Sequence, residues 1–149
     1  MRLTVFSDYT LRVLIYLGLR GDARSTIAEI ADAYGISKNH LMKVVHHLAT
    51  RGYVATTRGK GGGLRLQKPP EAINIGTVVR ATEQDTALVE CFEPGSSCCR
   101  IEQACALKGV FHRALEAFFR VLDDYTLGDL LEPRSGLQDI LMLPRTGDG

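Results

Sequence analysis

The chain has 149 residues and a mass of 16.4 kDa; 45% of its residues are apolar and its mean hydropathy is −0.01. That is enough for one compact core or a small domain with an appendage, and Arg or Asp interrupts every long apolar stretch, which excludes a membrane span. The formal charge of +1 hides an asymmetry: residues 1–68 hold eleven Lys/Arg against four Asp/Glu, and residues 69–149 seven against thirteen, which points the N-terminal half at a polyanion.

No charged segment followed by an apolar one opens the sequence, so a cytoplasmic, reducing setting is expected. The four cysteines then read as thiols or metal ligands rather than disulfides. Leu11, Val13, Leu14, Ile15, Tyr16, Leu17 and Leu19 form a dense apolar run that predicts a first helix, with Ser7 as its cap, Asp8 in its first turn and Gly21 at its end. A second helix is predicted over about 26–34, capped by Ser25 or Thr26 with Glu29 behind, and broken by Gly35. Ser37 caps a third helix that runs to about Arg51.

Helix, glycine turn, helix is the helix-turn-helix pattern. At roughly 100° per residue, Leu41, Val44, Val45 and Leu48 of the third helix share one side. Asn39, Lys43, His46 and Thr50 cluster opposite, with His40 and His47 flanking. That outer face carries amide, hydroxyl, imidazole and ammonium groups and no carboxylate, which suits base edges and phosphates. The candidate DNA-binding residues are Ser37, Lys38, Asn39, His40, Lys43 and His46.

Tyr53 to Thr57 then reads as a strand, 58–63 as a glycine-rich turn, and Leu64 to Gln67 as a returning strand. This is the wing of a winged helix, and Arg58, Lys60 and Arg65 give it charge. A phosphate-binding P-loop fits poorly, because no Lys-Ser/Thr follows the glycines. Pro69-Pro70 closes the wing, and a fourth helix is expected over about 75–83. Residues 85–104 read as irregular. A long helix over about 104–125 repeats Leu107, Phe111, Ala114, Phe118, Val121 or Leu122, and Tyr125 at threes and fours. That repeat is a coiled-coil seam; packing inside the monomer is the alternative, but a helix this long in so small a chain points to a homodimer suited to a pseudo-palindromic site in double-stranded DNA. The expected fold is therefore mainly α with a small β-hairpin wing. Its expected units are a winged helix-turn-helix domain over 1–70, a cysteine loop with a dimerisation helix over 71–135, and a tail over 136–149.

All four cysteines fall within fifteen positions: Cys91, Cys98, Cys99 and Cys105. Clustered thiols in a loop read as a metal site. The paired C-x-x-C knuckles of structural zinc are absent, and neighbours such as Cys98 and Cys99 rarely both face one ion. The useful set is therefore three: Cys91, one of the pair, and Cys105. An iron–sulfur cluster tolerates that, with a fourth ligand from elsewhere. A structural zinc site and spare thiols are the alternatives.

The chain resembles the Rrf-two family of winged-helix, iron–sulfur regulators, and within it the nitric-oxide-sensing repressors. The resemblance rests on 1–4 with Ser7-Asp8-Tyr9, on 34–40, on Gly52-Tyr53-Val54, on 58–66, on Cys99-x5-Cys105 and on 123–130. It implies a cluster, expected as 4Fe-4S with 2Fe-2S as the alternative, held by Cys91, Cys99 and Cys105. Cys99 matches better than Cys98 because its spacing to Cys105 is the family's. The resemblance also implies a fourth ligand from the partner subunit's Asp8; an ion pair of Asp8 with Arg12 one turn on is the plainer reading of the same residue. Seven residues separate Cys91 from Cys99, one or two more than usual. The cluster-biogenesis branch carries a histidine where this chain has Lys108. The function implied by the resemblance is that of a repressor that releases operator DNA when nitric oxide attacks its cluster. A regulator sensing iron or cluster supply is the first rival, and a cluster-carrying redox protein without specific DNA binding is the second. No enzyme is expected: His112 is the one histidine outside the third helix, and no nucleophile–base spacing accompanies it.

Overall fold

The computed structural model describes residues 2–92, 95 and 99–143. It is mainly helical with one two-stranded hairpin. In chain order the elements are α1 (Val5–Arg20), α2 (Ile27–Tyr34), α3 (Lys38–Thr50), β1 (Val54–Thr57), β2 (Gly63–Leu66), α4 (Ile75–Thr82), α5 (Ala106–Asp123), α6 (Leu127–Leu130) and α7 (Arg134–Ile140). Single 3-10 turns lie at Pro70–Ala72, Glu90–Phe92 and Glu102–Ala104.

The central element is α1. Val13, Leu14 and Leu17 are wholly buried, and α1 packs against α3, α4, β2, α6 and α7. Its N-terminus corrects the sequence reading. Thr4, not Ser7, is the cap, and Thr4 Oγ1 accepts from Ser7 N at 3.2 Å. Ser7 lies inside the first turn and is fully buried. The shift frees Ser7 to bond across to α4. Thr26 caps α2 with a complete capping box through Glu29, and Gly35 ends it in the left-handed conformation at φ 64°. That turn sets α3 across α1, with Leu41, Val44, Val45 and Leu48 buried.

β1 and β2 pair antiparallel, with Val54 opposite Leu66 and Thr57 opposite Gly63. Val54 and Leu64 are the buried positions that anchor the hairpin to the core. A bridge between Ser25 and Leu64 extends the pairing to the α1–α2 loop.

α4 is held at both ends. The Asn74 side chain caps it and also donates to Asp123 O at 2.7 Å. Arg80 grips the Asp123 carboxylate with both guanidinium nitrogens and lies over the Phe119 ring at 4.5 Å. Gly76 is required there, since a Cβ would collide with the Asp123 side chain. The Arg80 bond holds the Asp123 carboxyl below its ordinary value.

α5 differs from the expected seam. Phe118, Phe119, Leu122 and Leu115 turn onto the chain's own core. Leu107, Val110 and Val121 stay 54%, 46% and 57% exposed, with Ala114 and Ala117 exposed beside them. The apolar arc is wide enough for two surfaces, so one flank serves the monomer and the other remains outside. The C-terminal segment also differs: α7 covers 134–140, part of the span expected as tail. Leu137, Leu141 and Leu143 pack on the core, and Arg134 Nη2 donates to Leu19 O at 3.1 Å. The expected frayed end over 146–149 lies outside the described residues.

Candidate functional site

The outer face of α3 is built by its buried one. With Leu41, Val44, Val45 and Leu48 fixed inward, helical geometry turns Asn39, Lys43, His46 and Thr50 outward, and all four are exposed. Ser37, Lys38 and His40 are exposed at the N-terminal end. Ser37 makes no side-chain capping bond and is exposed at the positive end of the helix dipole. The His40 ring lies 6.0 Å from Tyr9 and the His47 ring 5.3 Å from Phe6, which seats α3 on α1. Burial, with Arg51 and His46 nearby, lowers the His47 pKa, so its imidazole favours the neutral form.

Arg58, Lys60 and Arg65 are exposed on the hairpin. The structure adds a residue that sequence reasoning misses. Arg24, in the α1–α2 loop, donates from Nη1 to Gly61 O at 2.8 Å and ties down the wing tip. Gly63 sits at φ 150° directly against Ser25 O, so the base of the wing fits only a glycine. Nothing in the local pattern around Arg24 signals this role, because the contact spans 37 positions.

The cysteine loop leaves α4 after Glu83 and returns at α5. Cys91 and Cys105 are half-buried and Cys99 is exposed; all three are thiols outside any disulfide. Cys98 lies outside the described residues. An open cavity of about 750 Å³ is walled by Gln84, Asp85, Thr86, Ala87, Cys91, Phe92, Gly95, Glu102, Lys108, His112 and Leu115. Cys105 caps α5 without spending its side chain on a capping bond. Lys108, one turn on, is bonded to Glu102 at 2.6 Å. That bond raises the Lys108 pKa, and Lys108 shares the cavity wall with Cys91.

Among the described residues no three His, Cys, Asp or Glu side chains converge as a ready-made metal cage. The donor chemistry nonetheless fits an iron–sulfur cluster: thiols on a short loop, a cavity beside them, and a cation to offset their charge. Asp8 stands apart from this loop's own cysteines in the interactions it makes. Arg12 Nη2 holds Asp8 Oδ2 at 2.8 Å and Arg12 Nε holds Oδ1 at 3.1 Å, so the ion pair one turn along the helix is present.

A helix-turn-helix with a basic hairpin, followed by a thiol-bearing loop and a long helix, defines a winged-helix DNA-binding regulator. The family profile of Rrf2, described as an iron-dependent transcriptional regulator, matches residues 3–133. The chain is 50% identical over 144 residues to the HTH-type transcriptional regulator NsrR of Bacillus subtilis, covering 96% of this chain and 99% of that one. It is 48% identical over 144 residues to the NsrR of Halalkalibacterium halodurans, with the same coverage. Among solved structures, a transcriptional regulator from Listeria innocua superposes with a TM-score of 0.74 at 31% identity, covering 89% of this chain and 87% of the other. CymR of B. subtilis, called a global cysteine regulator, gives 0.70 at 27% identity, covering 87% and 95%. The chain belongs to the Rrf2 family and is a transcriptional regulator.

Proposed function

We propose that the chain is a cytoplasmic, homodimeric repressor that binds a pseudo-palindromic operator in double-stranded DNA. Its sensor is an iron–sulfur cluster, of the 4Fe-4S form, that responds to nitric oxide. The observation that carries this reading is a cavity at the head of α5 whose wall holds Cys91 and Lys108, with Cys105 at the N-cap of that helix. The names of the relatives and the iron dependence in the family's description support it.

Cys91, Cys99 and Cys105 hold the cluster, with Cys98 as the alternative to Cys99, and Asp8 of the partner subunit completes it. Both oxygens of Asp8 are engaged by Arg12 within the chain, so ligation requires Asp8 to exchange that pair for iron. A carboxylate is a weaker ligand than a thiolate here, which makes this position the labile one. When bound, the cluster supplies iron that nitric oxide attacks. The chain's own residues do the rest. The outward flank of α5 at Leu107, Val110 and Val121 pairs with its twin. Ser37, Lys38, Asn39, His40, Lys43 and His46 meet the major groove, and Arg58, Lys60 and Arg65 meet phosphates. The Asp8 tie joins α1 of one protomer to the cysteine loop of the other and fixes the spacing of the two α3 helices. Losing the tie lets that spacing drift. A coupling of roughly 3 kcal/mol gives more than a hundredfold change in operator affinity.

The test compares operator affinity of the loaded protein before and after stoichiometric nitric oxide, and separately after iron chelation. Loss of binding with nitric oxide at constant total iron supports the reading. The family's description as iron-dependent favours a second one, a sensor of iron or cluster supply. Release by chelator alone, with nitric oxide inert, selects that second reading.

A further inference from the structure

The polar cluster at the junction of α1 and α4 is used neither for DNA contact nor for holding the cluster. Glu83 is the first residue after α4. Its Oε1 accepts from Thr4 N at 2.8 Å, from Thr4 Oγ1 at 3.1 Å and from Ser7 Oγ. Ser7 is fully buried and also bonds Thr82 Oγ1 at 2.7 Å. One carboxylate oxygen therefore fastens the cap and first turn of α1 to the end of α4. A negative charge suits that place, because the unpaired amides of a helix start give it positive character.

The latch joins two segments that the proposed function needs. On one side Asp8 follows Ser7 directly, and its amide bonds Thr4 O at 3.1 Å within the latched turn. On the other side the chain runs from Glu83 straight into the wall of the cysteine cavity, since Gln84, Asp85, Thr86 and Ala87 line it and Cys91 lies on the same wall. We infer that Glu83 is a positioning residue that couples the conformation of the cysteine loop to the first turn of α1, and through it to the Asp8 carboxylate and α3. The inference rests on the proposed cluster reading for its consequence. In a dimer where Asp8 serves the partner's loop, the latch links the state of one cluster site to the ligand offered to the other.

The test uses the full-length chain purified without oxygen, as wild type, Ser7→Ala, Glu83→Ala and Glu83→Gln. Amide hydrogen exchange is followed at 5–8 and at 84–92. Glu83→Ala is expected to speed exchange at Ser7 and Asp8 by about tenfold, the equivalent of one hydrogen bond's net contribution. Ser7→Ala is expected to speed exchange in 84–92, although it lies on the other side of the latch. Unchanged exchange in 84–92 for Ser7→Ala overturns the latch whether or not the protein carries a cluster. The second arm is the ratio of operator affinities in loaded and chelated protein. Glu83→Ala is expected to shrink that ratio by at least about tenfold at unchanged iron content, and Glu83→Gln to recover part of it through its carbonyl. A ratio that Glu83→Ala leaves intact reduces Glu83 to a structural contact and overturns its positioning role. A wild type that holds no iron overturns the proposed function alone, and the exchange arm still decides the latch.

Discussion

At the residue scale, the proposed DNA-binding surface divides into side chains that carry charge and side chains that place it. Lys43 and Arg65 are exposed and oriented by buried neighbours on their own elements, Val44 and Leu64. Lys43→Ala and Arg65→Ala are each expected to lower the slope of log affinity against log salt by about one, with weakening that is uniform across DNA sequences. Binding isotherms at several salt concentrations check this. Arg24 acts differently. Its bond to Gly61 O holds the wing tip, so Arg24→Ala is expected to weaken operator binding about fivefold, from the loss of one charge-assisted hydrogen bond, with little change in melting temperature. Lys43 and Arg65 are legible in the sequence because helical and strand periods turn them outward. Arg24 is not, because its partner is remote in the chain. Ser7 shows the same limit: it reads as a helix cap by residue type, yet Thr4 caps the helix and Ser7 bonds α4.

At the element scale, periodicity is a good guide wherever a helix has one buried face, and a poor one where it has two. α2 and α3 match their expected spans because glycines and caps punctuate them. Thr26→Ala removes the Oγ1 acceptor of the α2 capping box, leaves the backbone N–H that donates to Glu29, and is expected to destabilise the fold by about 1 kcal/mol in denaturant unfolding. The repeat along α5 reads as a single seam, but Phe118 and Leu122 face the chain's own core while Leu107 and Val121 face out. No period separates an intramolecular flank from an intermolecular one. Pro133 and Gly136 disguise α7 as tail, although Leu137 and Leu141 bind it to the core. The α4–α5 junction carries a pH signature. The Asp123 carboxyl is held below its ordinary 3.8 by the bond to Arg80. A depressed folded value means that the contribution is complete above the ordinary value and is lost as pH falls through the folded one. Asp123→Asn is therefore expected to lower stability at neutral pH and to flatten the acid limb of the stability–pH curve below about pH 4, read by thermal unfolding.

At the scale of the whole molecule, one continuous core runs from α3 to the base of α5, with α1 between them. The winged-helix half and the cysteine half are thus mechanically joined, through the Glu83 latch just after α4 and the Asp123 clamp between α4 and α5. The outward flank of α5 is exposed, and the proposed function assigns it to a second copy. Val121→Asp, which sets a charge in that flank, is expected to raise the dimer dissociation constant by at least about tenfold and to weaken operator binding with it, as read by sedimentation and by DNA titration. The overall architecture is legible because capping, glycine turns and alternation agree over the first seventy residues. The crowding of the cysteines is legible in the sequence, and the metal site proposed there rests on it. The geometry of that site is not legible, since the described residues set Cys91 on the cavity wall with Lys108 and Cys105 at the N-cap of α5 without assembling a cage.

The most direct test of the account is iron and sulfide analysis of anaerobically purified protein, paired with operator affinity before and after stoichiometric nitric oxide. The account predicts about four irons per chain and tight binding that falls a hundredfold or more, by roughly 3 kcal/mol, when nitric oxide is added. Protein that carries zinc or no metal, or whose operator affinity is indifferent to nitric oxide, would contradict it.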